Sequence, residues 1–376
     1  MILLLEFARG LAALWVFFFH VKEIFISSSP IIYYISSYGS LGVPMFFVIS
    51  GYVITFSAES SLKKGKSPLV FLKSRFLRIY PTFWASVIIV LILPYVIESI
   101  SSLKSGVYSE PENLVTKLTY IEWSNFLILS KVFWATSHDL QAQFNTINSV
   151  YWTLAIEFQF YVVVFLALCF GKYYKYLIAA VSLIALIILF IPVNINYGIF
   201  IHYWPSFSIG IALAYLHRNG IWFLPGLKNS FILLFFLIAI ILLSNSELIE
   251  INKNIKTLFF AISFGMFLWL ISNIEKVLVN IKNSNNKILY WSLEPWLILG
   301  AMSYSVYLLH AKVYQLPKMF LRQILDNNNL LFGILTIVLT LIICFPFYYF
   351  VESRYLSKNY KRIHQKVLTN TSTRIK

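Results

Sequence analysis

The sequence predicts an all-α integral membrane protein in which about ten transmembrane helices enclose a polar cleft. Three observations carry that expectation. Of the 376 residues, 59% are hydrophobic, against roughly 45–50% in soluble proteins. Only 12% are charged, about half the usual share, and the mean hydropathy is +0.76. Apolar runs near the length of about 20 residues that a helix needs to cross a bilayer recur along the whole chain. A soluble globular enzyme and a disordered chain are both excluded. Two cysteines are too few for a disulfide framework or a structural zinc site. The net charge of +15 is no nucleic-acid signal, because the basic residues are spread over short loops between apolar runs.

In chain order the candidate spans are 2–22, 38–58, 77–97, 149–170, 174–193, 197–216, 229–245, 256–272, 297–315 and 330–351. The first is read as a span rather than a cleaved leader, because Arg9 lies inside the apolar stretch and no small-residue cleavage site follows. With ten spans and an inner N-terminus, twenty of the 30 basic residues fall on the inner side and nine on the outer. That bias places both termini in the cytoplasm. The long outer segment 98–148 mixes Ser, Asn and acidic residues with Trp123, Phe126, Phe133 and Trp134. Such a mixture suits a re-entrant or interfacial stretch lining a polar cavity. Residues 1–355 form the membrane-embedded domain and 356–376 a basic cytoplasmic tail.

A charge near the bilayer centre costs from about 2.5 to over 10 kcal/mol, so ionisable residues within the spans are the functional candidates. Arg9 and His20 are 11 residues apart in the first span. At 3.6 residues per turn they point within roughly 20° of each other and sit about 16 Å apart along the axis. Glu6 precedes Arg9 by three residues, close enough on a helix for an ion pair, so Arg9 also reads as an internal partner of Glu6. Arg75 and Arg78 share one face at the inner mouth of the third span. Their guanidinium forks suit phosphate, and they equally suit a positive-inside anchor. Glu157, beside Gln159 early in the fourth span, fits a proton carrier, an orienting partner for an imidazole or a structural hydrogen bond. His310 ends the ninth span on the same side as His20 and also reads as structural. His138, Asp139, His202 and His217 have no metal-ligand spacing. Cys169 and Cys344 lie in apolar runs, and no phosphate-binding Gly-rich loop or G-x-S-x-G occurs.

Five segments together resemble the acyltransferase-3 family of integral membrane acyltransferases. Arg9-x10-His20 resembles its R-x10-H signature. Residues 42–52, GVPMFFVISGY, with Ser50 before the terminal Gly-Tyr, look like its aromatic-rich second span. Arg75-x-x-Arg78 followed by Tyr80-Pro81 looks like its R-x-x-R-x-x-P motif. Residues 152–161 are similar to W-S-L-x-x-E-E-Q-F-Y, and 303–310 to S-Y-S-x-Y-L-x-H. The resemblance runs from residue 1 to about 355. Phe158 replaces the second Glu of the fourth-span motif, Leu309 an aromatic often found before the histidine, and Ser353 a common Pro.

The resemblance implies transfer of an acyl group, usually acetyl from acetyl-CoA, to a hydroxyl of a surface polysaccharide such as O-antigen or its lipid-linked precursor. The setting it implies is a bacterial inner membrane, with membrane lipids as surroundings and no permanently bound cofactor or metal. On that reading His20 is the general base and Glu157 assists it. Arg9, Arg75, Arg78, Ser50 and His310 bind acyl-CoA or substrate. The rival reading is a multi-span transporter or flippase of glycans, which a basic inner rim and an aromatic cavity would also serve.

Overall fold

The computed structural model describes residues 2–134, 140–191, 195–220, 234, 253–283 and 287–356. Within these the chain is helical and contains no strand. The α-helices are α1 (Ile2–Val21), α2 (Pro30–Ser37), α3 (Gly42–Lys63), α4 (Pro68–Ser105), α5 (Tyr120–Leu127), α6 (Trp152–Cys169) and α7 (Tyr174–Ile188). They continue with α8 (Trp204–Arg218), α9 (Lys253–Leu270), α10 (Ile274–Asn283), α11 (Lys287–Ala301), α12 (Ser303–Val313), α13 (Gln315–Leu321) and α14 (Leu330–Phe350).

Seven helical stretches among the described residues are long and apolar enough to cross a membrane: Leu3–Phe25, Pro30–Lys63, Pro68–Ser105, Ser149–Cys169, Gly171–Ile188, Ile255–Lys282 and Leu330–Phe350. They cover seven of the ten expected spans. The expected span 197–216 is a short turn, Phe200–His202, followed by the 15-residue α8. The expected span 297–315 is broken at Met302 between α11 and α12. The expected span 229–245, the tail 357–376, and His138 and Asp139 lie outside the described residues.

Local sequence sets the boundaries. The Ser67 hydroxyl accepts from the Leu69 amide at 3.3 Å and Pro68 follows at the first helical position, so α4 begins where orphan amides are capped. It ends at Gly106, whose φ of +71° is the left-handed cap that glycine adopts without a side-chain clash. Its 38 residues make about 57 Å of helix. That is longer than the expected span 77–97, because the stretch carrying Lys73 and Arg75 before it and residues 98–105 of the expected outer segment after it are helical too.

Apolar side chains such as Ile88, Ile92, Leu183 and Ile342 are more than half exposed on the outer faces of α4, α7 and α14, the arrangement lipid requires. Between helices the driving force is close packing rather than exclusion of water. In the α3–α8 pair, a Cβ on Gly51 would strike the Phe207 carbonyl and one on Gly210 the Val48 carbonyl. α1 meets α11 in the same way at Gly10 and Gly300, and this seats α1 among α3, α11 and α12.

Of the expected outer segment 98–148, residues 98–105 continue α4, and the end of α5 at Leu127 and Ile128 packs back against α4. The Tyr80 hydroxyl donates to the Ile128 carbonyl at 3.0 Å, and the Trp84 indole to the Leu127 carbonyl at 3.1 Å. Phe126, Val132 and Phe144 are fully buried. Part of this stretch is thus packed inside protein, and two of its carbonyls, those of Leu127 and Ile128, are met by aromatic side chains of α4.

Candidate active site

α1 runs through the centre of the bundle and carries Arg9 and His20, both half-buried. Close contacts at Gly10 and, beyond its end, at Gly39 fix its rotation. Arg9 opens on a cavity of about 60 Å³ whose polar wall is Ser50 from α3, Thr153 and Glu157 from α6, and Tyr304 and Tyr307 from α12. Val43, Phe46, Phe47 and Leu154 form its apolar wall. The space holds a handful of waters, so a longer ligand enters only if side chains move. The Arg9 guanidinium makes no ion pair or hydrogen bond with another described residue. The ion pair with Glu6 that helical spacing allows is thus not formed: Glu6 is buried, with its backbone against Gly300 of α11.

Glu157 is held from both sides. Its Oε1 accepts from the Ser50 hydroxyl at 2.9 Å and from the Tyr161 hydroxyl, one turn further along α6, at 2.5 Å. No imidazole is among these partners, so the role of orienting a histidine finds no contact here. The neighbouring Gln159 is structural. Its amide bridges the Gly198 carbonyl and the Phe200 amide, both at 2.9 Å, and anchors the turn before α8. Phe158, where the motif has a second acid, meets the Tyr80 ring edge-on at 5.0 Å between centroids.

The two arginines of α4 have different surroundings. Arg75 donates to the Ser57 hydroxyl at 2.6 Å and lies over the rings of Phe71 (5.4 Å) and Tyr161 (5.9 Å). Its Nε is buried without a hydrogen-bond partner among the described residues. Arg78 donates to Glu352 Oε1 at 3.0 Å and lies over Tyr304. Glu352 is fully buried and its other oxygen accepts from the Ser305 amide and hydroxyl at 3.0 and 2.6 Å. One expected phosphate fork is therefore also the counter-ion of a buried carboxylate that ties α4, α12 and the end of α14 together.

His20 does not line the Arg9 cavity. The axial rise that separates it from Arg9 carries it to a second group, where its ring meets that of His310 at 5.1 Å between centroids and 62°. Tyr307 stands between the two places. It lines the cavity, hydrogen-bonds Thr153 at 2.7 Å and lies 5.9 Å from the His310 ring. Polar groups thus follow one another from Arg75 through Tyr161, Glu157 and Ser50 to Arg9, then past Tyr307 to the two imidazoles. A larger cavity of about 350 Å³ lies beyond His310, bordered by Glu98, Glu110, Glu112, Lys312 and Gln315, and none of the expected site residues lines it.

Tyr161, Thr153, Tyr304 and Tyr307 lie inside the motif segments 152–161 and 303–310, and Glu352 is an acid beside the last span, but none of the five carried an expected role in the site. Helical spacing held a signal for two of them, since Tyr161 follows Glu157 by four residues and Tyr307 precedes His310 by three.

A protein-family model described as an acyltransferase domain, acyltransferase-3, matches residues 2–349 of the chain. No curated protein and no solved structure matches it.

Proposed function

This chain belongs to the acyltransferase-3 family and is a multi-pass membrane acyltransferase, and from that premise we propose that it moves an acetyl group from acetyl-CoA to a hydroxyl of a surface polysaccharide or its lipid-linked precursor. The observation that carries this reading is the half-buried guanidinium of Arg9, unpaired among the described residues. It opens on a cavity between an arginine-bearing end of the bundle and an imidazole pair. An unpaired cation in a low-dielectric setting is costly, and an oxygen-rich donor offsets that cost.

In this mechanism Arg75 takes a CoA phosphate at the basic rim, with Arg78 beside it still paired to Glu352. The pantetheine arm lies along Arg9, with Ser50 held in place by Glu157. Glu157 lines the same cavity as Arg9. His20 removes the acceptor hydroxyl proton as that oxygen attacks the thioester carbonyl. The C–O bond forms, the C–S bond breaks, and the proton leaves on the CoA thiol. The donor side is cytoplasmic, as are both termini, and the membrane is the bacterial plasma membrane. Membership of an acyltransferase family does not favour the export reading.

The test is mass spectrometry of surface glycans from host cells with and without the chain, and with His20→Ala. Loss of one acetyl increment per repeat in both altered strains is expected. Unchanged glycan mass without the chain refutes the acceptor, and wild-type acetylation by His20→Ala refutes the base.

A further inference from the structure

His310 is one buried titratable group that the proposed mechanism leaves without a task. It is completely buried, packed between the rings of Phe17 (5.4 Å) and Tyr307 (5.9 Å). Its Nδ1 lies 2.9 Å from the Val306 carbonyl of the preceding turn. A carbonyl oxygen only accepts, so Nδ1 carries the hydrogen, and in the neutral ring Nε2 then bears the lone pair. That Nε2 is buried and has no hydrogen-bond partner among the described residues. A buried acceptor left unmet costs about 1–3 kcal/mol and is uncommon in folded proteins. The ring beside it, at 5.1 Å between centroids, is that of His20, which is half-buried and the more accessible of the two.

We infer that His310 is a positioning residue for His20: its fixed Nε2 lone pair accepts a hydrogen bond from the ring N–H of His20 as that imidazole takes up the acceptor proton. This rests on the reading of His20 as the general base. A carboxylate fills the orienting place in the familiar serine–histidine–aspartate arrangement. Within a membrane bundle a second neutral imidazole does the same work without burying a negative charge. The carbonyl of Val306 selects the tautomer of His310, and His310 in turn selects that of His20. The proton balance is unchanged: the hydroxyl proton passes to His20 and then to the CoA thiolate, while the Nδ1 hydrogen of His310 stays on its nitrogen, donated to the Val306 carbonyl.

The test uses the full chain in detergent, radiolabelled acetyl-CoA, and surface polysaccharide extracted from host cells lacking the chain. His310→Phe keeps a ring of similar size and removes the lone pair, and His310→Gln keeps an acceptor oxygen. Expected are a fall in kcat of about a hundredfold for the Phe variant with acetyl-CoA affinity within twofold of wild type, and recovery of at least tenfold by Gln. A wild-type kcat for His310→Phe, a loss of acetyl-CoA affinity matching the loss of rate, or no recovery by Gln overturns the inference. Should the Phe variant fail to elute as a single folded species, His310→Leu carries the same comparison. A wild-type rate for His20→Ala, run alongside, marks failure of the general-base reading instead.

Discussion

Removing Arg78 is expected to unsettle the fold as well as donor binding, and the size of the effect can be worked from its partner. Glu352 is fully buried and its carboxylate accepts three hydrogen bonds, one from Arg78 and two from Ser305. The Arg78 side chain is 18% exposed. Stripping the cation from a buried pair costs about 3–5 kcal/mol. The two Ser305 bonds remain, so Arg78→Ala is placed at the lower end, about 3 kcal/mol. Glu352→Gln removes the charge but leaves an arginine able to reach water, and is placed at about 2 kcal/mol. Once either member is gone the other has little left to lose. The double variant is therefore expected to cost about 3 kcal/mol rather than the sum, a coupling of about 2 kcal/mol. The assay is unfolding of the purified protein by sodium dodecyl sulfate titration in mixed micelles. Additive single effects, or singles within about 0.5 kcal/mol of wild type, refute the claim that this ion pair locks α4, α12 and the end of α14.

Arg75→Ala is expected to weaken acetyl-CoA binding about tenfold to a hundredfold, the worth of a charge-assisted hydrogen bond, measured by calorimetry on purified protein. Unchanged affinity returns Arg75 to a packing role with Ser57 and Tyr161. Arg9→Lys keeps the charge and loses the planar fork, and acetyl transfer is expected to fall at least tenfold; full activity reduces Arg9 to a counter-charge for Glu157. Gly210→Leu places a side chain against the Val48 carbonyl and the Tyr52 amide of α3. It is expected to cost more than the usual 1–3 kcal/mol of overpacking, because backbone is slow to yield. A melting temperature equal to wild type contradicts the close α3–α8 approach.

Several features were legible in the sequence because they follow from local periodicity. The helical class, the first-span face that carries Arg9 and His20, and the basic rim all depend on spacing of 3.6 residues and on the cost of charge in lipid. The spans that departed from expectation did so for local reasons of another kind. Met302, at φ −89° and ψ 7°, separates α11 from α12 within the run 297–315, and α4 reaches back through its basic residues because its start is capped at Ser67 and Pro68 and Lys and Arg are good helix formers.

Pairings between distant segments were out of reach of any such rule. Spacing put Glu6 beside Arg9, yet the close meeting of Gly10 with Gly300 turned Glu6 toward α11 and left Arg9 to face Ser50 and Glu157. Glu352 found Arg78 from 274 residues away, and His20 found His310 because α1 and α12 pack side by side. A chain's own periodicity dictates which side chains share a helix face. Which face meets which neighbour is set by how closely backbones approach at small residues, a property of the assembled bundle alone.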